Sequence, residues 1–197
     1  MSDALPSLRL ESGDCLTLSP SSERYRAAYH QVQPRSAEDV RATLGLSETA
    51  TKALQASGMC CQPAPSMAPL PEDLSHEDAD TRSGARRAAY AGLQAYVRSP
   101  TPNAFVSQLP AMNRYLDLTK AVINIISLFD IEVADGATLT ISANTHVVNA
   151  RKVIIHGSVR IVCKGATTFK IVSLEGARRF SQVVSAQTSV VGRVAHS

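Results

Sequence analysis

The sequence predicts an α+β protein, with a helical N-terminal region and a C-terminal run of short strands. Two observations carry this. Up to Phe129, apolar residues recur three and four apart, in pieces broken by proline. From Ile131 the period drops to two, and turn signals separate the apolar pieces. The composition agrees: 44% hydrophobic and 19% charged residues in a chain of 197 suit a globular fold. With no Trp and 5% aromatics, the core must be aliphatic.

The elements follow in order. Leu8–Leu18 (LRLESGDCLTL) alternates apolar and polar residues around Ser12-Gly13-Asp14, which predicts a short hairpin. Ser22–Val32 is read as helical, with Ser22 as N-cap. SAEDVRATLGL opens another helix at Ser36, where Ser36 and Asp39 are spaced like a capping box. SETATKALQASG adds a third piece, closed by Gly58. Residues 1–58 are thus expected to be a mainly helical N-terminal region. Residues 59–75 carry Pro63, Pro65, Pro69 and Pro71, which exclude a helix or central strand and predict a linker.

Residues 76–129 are expected to be a second helical region. Within it, Ala85, Ala89, Leu93 and Tyr96 make a helical stripe over His76–Val97. Pro110 opens a helix running to Phe129, with stripes through Leu118, Val122, Ile125 and Phe129 and through Leu116, Ile123 and Ile126. So wide an apolar face predicts that this helix caps the strand region after it.

Residues 130–197 form the β-domain. Its apolar pieces are separated by Asp135-Gly136, Ala143-Asn144, Asn149-Ala150, Gly157 and Lys164-Gly165. The frames IEVADGATLTI and KVIIHGSVRIV match, with Gly136 and Gly157 21 residues apart. A period near 20 residues made of short strands predicts a short β-solenoid. Ile141, Val153, Ile155 and Ile161 should point inward. A small antiparallel β-sandwich or barrel gives similar strands and is the alternative. The stretch resembles coils of right-handed parallel β-helix proteins, found among adhesins, polysaccharide-active proteins and scaffolds. The resemblance covers the C-terminal region only and is one of architecture.

Charge is uneven. Residues 1–127 hold 12 Lys/Arg against 13 Asp/Glu, and residues 128–197 hold 8 against 4. Arg151, Lys152, Arg160, Lys164 and Lys170 recur along the coils and are the candidate binding residues for a polyanion. Without interleaved aromatics, any nucleic-acid binding would be salt-sensitive and sequence-independent. Lysines on strands also serve to block edge pairing, which is the reading preferred here.

Candidate catalytic residues are Asn144, His146 and His156, which flank successive strands. His76-Glu77-Asp78-Ala79-Asp80 resembles half of a zinc motif, but the second histidine is an aspartate. An acidic helix start accounts for it, and no metal is expected. No Gly-x-Ser-x-Gly elbow or phosphate loop occurs. After residue 127 the acids are Asp130, Glu132, Asp135 and Glu175, and the aromatics are Phe129, Phe169 and Phe180, which argues against glycan cleavage.

The N-terminus has no signal-peptide pattern, and Tyr115–Phe129 is too short and polar to span a bilayer. Cys15, Cys60, Cys61 and Cys163 fit no zinc or CxxC spacing and predict reduced thiols. The chain is expected in the cytoplasm, or exported without a classical signal peptide. The reading is a non-enzymatic structural or interaction protein, without cofactor. Its solenoid would bind another copy, as a dimer or trimer, or another protein. The alternative is a β-helix-type enzyme acting on a saccharide or other polar substrate.

Overall fold

The structure is a computed structural model that describes residues 5–46, 79–99, 101–165, 167–176, 182–184 and 188–194. The chain divides into two compact units. One joins Met1–Val32 to Ile123–Ser197, and the other is Gln33–Val122. The division differs from the expected contiguous order, because strands near the N-terminus belong with the C-terminal ones. The Pro-rich stretch 59–75, the helix expected over 47–58 and His76-Glu77-Asp78 lie outside the described residues.

Among its described residues, the strand unit has one short 3-10 turn and two largely parallel sheets. β1 (Leu8–Leu10), β4 (Ile123–Val133), β6 (Val147–Ile155), β8 (Thr167–Glu175) and β10 (Thr188–Val194) lie side by side in the first sheet. β2 (Cys15–Leu18), β5 (Thr138–Ile141), β7 (Arg160–Cys163) and β9 (Gln182–Val184) form the second. Successive strands alternate between the sheets, and every one of these pairings is parallel. The antiparallel sandwich or barrel is thereby overturned. The lone antiparallel pair is β3 (Tyr29–Val32) on the start of β4. Ile131 pairs with Val153 and Thr138 with Arg160, while Val148 pairs with Phe169 and Ile161 with Gln182. Each advance to the next layer thus takes 21 or 22 residues.

The long strands bend. Strict alternation would bury every second residue. Instead Leu128 and Ile131 are buried with Phe129 and Asp130 more open between them. Ala150-Arg151-Lys152-Val153 repeats the slip one layer on, and the two sets are in register. Two successive more open residues thus shift the phase of burial along the strand, and buried residues of both sheets share one aliphatic core. Ile141, Val153, Ile155 and Ile161 are all in that core, as expected.

Two expectations for this unit fail. Leu8–Leu18 is not a hairpin, since β1 and β2 belong to different sheets and pair with β4 and β5. Ser22–Val32 is a 3-10 turn, Glu23–Ala28, followed by β3. That turn brings the chain from β2 back to the start of β4 and buries Tyr25 and Ala28 in the core.

Tight stacking fixes two glycines. Gly176 has φ +89, and a Cβ there would run into the Ile155 carbonyl. Gly157 has φ +66 and faces the Asp135 side chain, whose Oδ1 accepts the Ser158 N–H. Both positions need a left-handed backbone with no side chain.

The helical unit comprises α1 (Ala37–Leu44), α2 (Ala79–Arg98), a 3-10 turn (Pro102–Gln108) and α3 (Leu109–Thr119). Ser36 caps α1 by accepting the Asp39 N–H at 3.1 Å, and Asp39 Oδ2 accepts the Arg35 N–H at 3.0 Å. Gly45 ends the helix in the left-handed conformation, at φ 71. The α2 stripe of Ala85, Ala89, Leu93 and Tyr96 is buried. Arg41 is 6% exposed, and its guanidinium donates to the carbonyls of Tyr96, Val97 and Ser99 at 2.7, 3.0 and 2.9 Å. It thereby adds a cationic donor to the C-terminal carbonyls of α2 and to that of Ser99 just beyond, the Tyr96 carbonyl also accepting the Ser99 N–H at 3.1 Å.

The helix expected to reach Phe129 stops at Thr119. Lys120 takes the left-handed conformation, at φ 49, and its N–H closes on Leu116. The β-branched run Val122-Ile123-Asn124-Ile125-Ile126 then favours strand over helix. From Ile123 onward its residues belong to β4, so the expected capping helix does not exist in that form. Among the described residues, no helix is long and apolar enough to cross a membrane.

Candidate functional site

Asn144, His146 and His156 do not come together. Asn144 sits in the exposed turn between β5 and β6, and its carbonyl accepts from Asn124 Nδ2 at 2.9 Å. His146 is half-buried beside it. Its Nδ1 accepts the Asn124 N–H at 2.9 Å, and its own N–H donates to the Asn124 carbonyl at 3.0 Å. Gln31 Nε2 completes the group by donating to Asn124 Oδ1 at 2.9 Å. With Nδ1 accepting, the ring is neutral and carries its proton on Nε2. Burial also holds the His146 pKa below its ordinary value. The imidazole therefore joins β4 to β6.

His156 lies at the other end of β6, an extended segment of nine residues. At about 3.3 Å per residue, that places up to roughly 30 Å between the two rings along the strand. His156 Nε2 is 3.0 Å from Glu132 Oε1, and Arg9 Nε is 3.7 Å from Glu132 Oε2. This is an exposed surface cluster tying β1, β4 and β6.

The five candidate cations are dispersed. Arg151 grips Asp130 with two hydrogen bonds, 2.9 Å from Nε and 2.6 Å from an Nη, and lies 4.0 Å above the Phe129 ring. These bonds hold the Asp130 carboxyl below its ordinary pKa and raise that of Arg151. Lys152 Nζ pairs with Glu175 Oε2 at 2.7 Å. Lys170 is on β8 in register with Asn149, and burial pushes its pKa down. Arg160 is exposed on β7 in the other sheet, and Lys164 occupies the turn after it. Arg151 and Lys152 are neighbours, each already matched by a carboxylate.

Among the described residues, no group of three His, Cys, Asp or Glu is placed to hold a metal. Neither Cys15 nor Cys163 is in a disulfide.

What remains as a candidate surface is made of backbone. β10 ends the first sheet and β9 the second. Each pairs on one side only among the described residues. The outer edge of such a strand carries unpaired N–H and C=O groups and templates another strand. The sequence adds little to blunt it, since Thr188–Val194 contains one charge, Arg193, and no proline.

At the opposite end β1 and β3 share the leading edge of β4 and β2 lies on that of β5, and each of these three also pairs on one side only among the described residues. Sequence reasoning missed this leading layer, although a signal was present. LRLESGDCLTL matches IEVADGATLTI position by position, with Gly13 on Gly136 and Leu16-Thr17 on Leu139-Thr140. Comparison with protein-family models, curated proteins and solved structures finds no match for this chain.

Proposed function

We propose that the two parallel sheets are a short β-solenoid and that the protein is a non-enzymatic structural or interaction protein. Its strand unit associates with another copy, as a dimer or trimer, through the C-terminal β-region. The observation that carries this reading is the pair of one-sided strands, β9 and β10, which close the two sheets together. Repeating layers of 21 or 22 residues support the solenoid, because each layer buries its apolar residues on the next. Among the described residues Asn144 and His146 meet at Asn124 while His156 lies beyond the far end of β6, an arrangement that favours the interaction reading over the enzyme alternative. On this reading the protein works in the cytoplasm, or after export without a classical signal peptide.

Light scattering tests the proposal. Full-length protein at tens of micromolar should exceed the chain mass of 21.0 kDa. A chain ending at Gly176, which lacks β9 and β10, should return to that mass. A full-length monomer sinks the proposal.

A further inference from the structure

The two ends of the strand unit differ, and the difference limits how copies can join. We infer that association is tail to tail: β9 and β10 of one copy meet β9 and β10 of a second across a two-fold axis, and growth stops at two. The inference rests on the self-association reading above and specifies its partner and geometry.

The leading end is unsuited to receive a tail. A layer added there would meet β1 and β3 in the first sheet. β1 runs parallel to β4, but β3 runs antiparallel, with Tyr29 against Ile126 and Val32 against Ile123. A strand shaped like β10 has one direction and cannot pair in the layer-to-layer register with both. The Glu23–Ala28 turn adds a plug, since Tyr25, 2% exposed, and Ala28 occupy the core at this end. Head-to-tail stacking, the route to a fibre, is thereby blocked.

The trailing end has neither device among the described residues. It offers two edges at once, β10 in one sheet and β9 in the other. A partner must therefore bring two strands held at the same separation. A second copy of the same end has that geometry by construction. A two-fold axis pairs β10 with β10 antiparallel, and antiparallel pairing is at least as stable per residue as parallel. An isologous contact of this kind uses up the surface that made it.

Hydrogen exchange read alongside mass tests the inference on the unmodified chain. Between about 1 and 100 micromolar, the mass should rise and level off at twice the chain mass. Over the same range, amides of residues 182–194 should slow by about tenfold or more, while those of 8–18 and 29–32 keep their rates. Val190→Pro and Val191→Pro provide a second reading. Neighbouring amides on a strand point to opposite sides, so one of the two removes an outer donor. That variant should be monomeric while keeping the circular dichroism of the parent. A mass that climbs past two copies, or slowing at 8–18 and 29–32, overturns the tail-to-tail geometry and leaves self-association standing. A monomer at every concentration overturns both.

Discussion

The strand unit and the helical unit solve the same problem in opposite ways. In the strand unit, buried aliphatic residues stand in register from layer to layer, as in Leu128 over Ala150 over Ile171. Among the described residues of that unit, none that is buried carries a charge. The helical unit is built of helices of unequal length and places a cation inside. Arg41 gathers three carbonyls at the end of α2 and lies 5.3 Å from the Tyr96 ring. Repetition supplies uniform burial in one unit, whereas in the other a single side chain holds a helix end that has no repeat to lean on.

If that contrast is right, variants in the two units should affect different unfolding transitions. The largest effect is expected from Arg41→Met, which keeps apolar bulk but strips three carbonyls of their cationic donor. Thermal unfolding followed by circular dichroism should show the helical transition lowered by about 4 kcal/mol, with the strand transition in place. A common shift of both transitions breaks the division into two units.

Ile155→Ala comes next. Ile155 is 5% exposed in the stacked core, and its loss should cost the strand transition about 3 kcal/mol. A cost under about 0.5 kcal/mol, the surface range, would mean that the layer does not depend on this column.

Gly176→Ala sharpens the same point through the backbone. Alanine at this positive φ is strained, and its Cβ meets the Ile155 carbonyl. Chemical denaturation should give a loss of about 2 kcal/mol. A neutral result would place Gly176 away from Ile155.

The smallest effect is one of pH. Burial holds His146 below its ordinary 6.5, and its Nδ1 accepts a hydrogen bond only when unprotonated. As pH falls below 6.5, the unfolded chain takes up a proton that the folded chain refuses. The His146 contribution is therefore complete above pH 6.5 and is lost as pH drops through the folded value. His146→Gln should flatten the pH dependence of the strand transition in that window. An unchanged slope would show that His146 does not couple β4 to β6.

Legibility in the sequence followed the same contrast. The stacked layers announced themselves because the period is written into the chain, as in IEVADGATLTI and KVIIHGSVRIV, and the inward register of Ile141, Val153, Ile155 and Ile161 came with it. The Ser36–Asp39 cap and the α2 stripe were legible because helix ends and faces depend on near neighbours. The helix read through to Phe129 was wrong because a continuous apolar run fits both periods. Only the density of β-branched residues after Val122 distinguishes them. Arg41 could not be found at all, since its three acceptors lie more than fifty residues away along the chain. The placement of Arg151, Lys152, Arg160, Lys164 and Lys170 was not legible for a related reason: recurrence in sequence does not say which sheet or face a residue occupies.

The insertion of the helical unit between β3 and β4 has a consequence for the nascent chain. Val32 and Ile123 are paired neighbours in the fold, yet residues 33–122 are translated between them. At about 5–20 residues per second, β1 and β2 leave the ribosome roughly 5–20 s before the strands they stack on. The helical unit, made from residues 33–122 alone, can close in that interval, because nearer contacts form faster than more distant ones. Leu8, Leu10 and Leu18, all buried in the finished core, spend it without their layer. The first strands made are thus among the last to be placed, and biosynthesis of this protein runs through a state in which its leading layer must be kept from other chains.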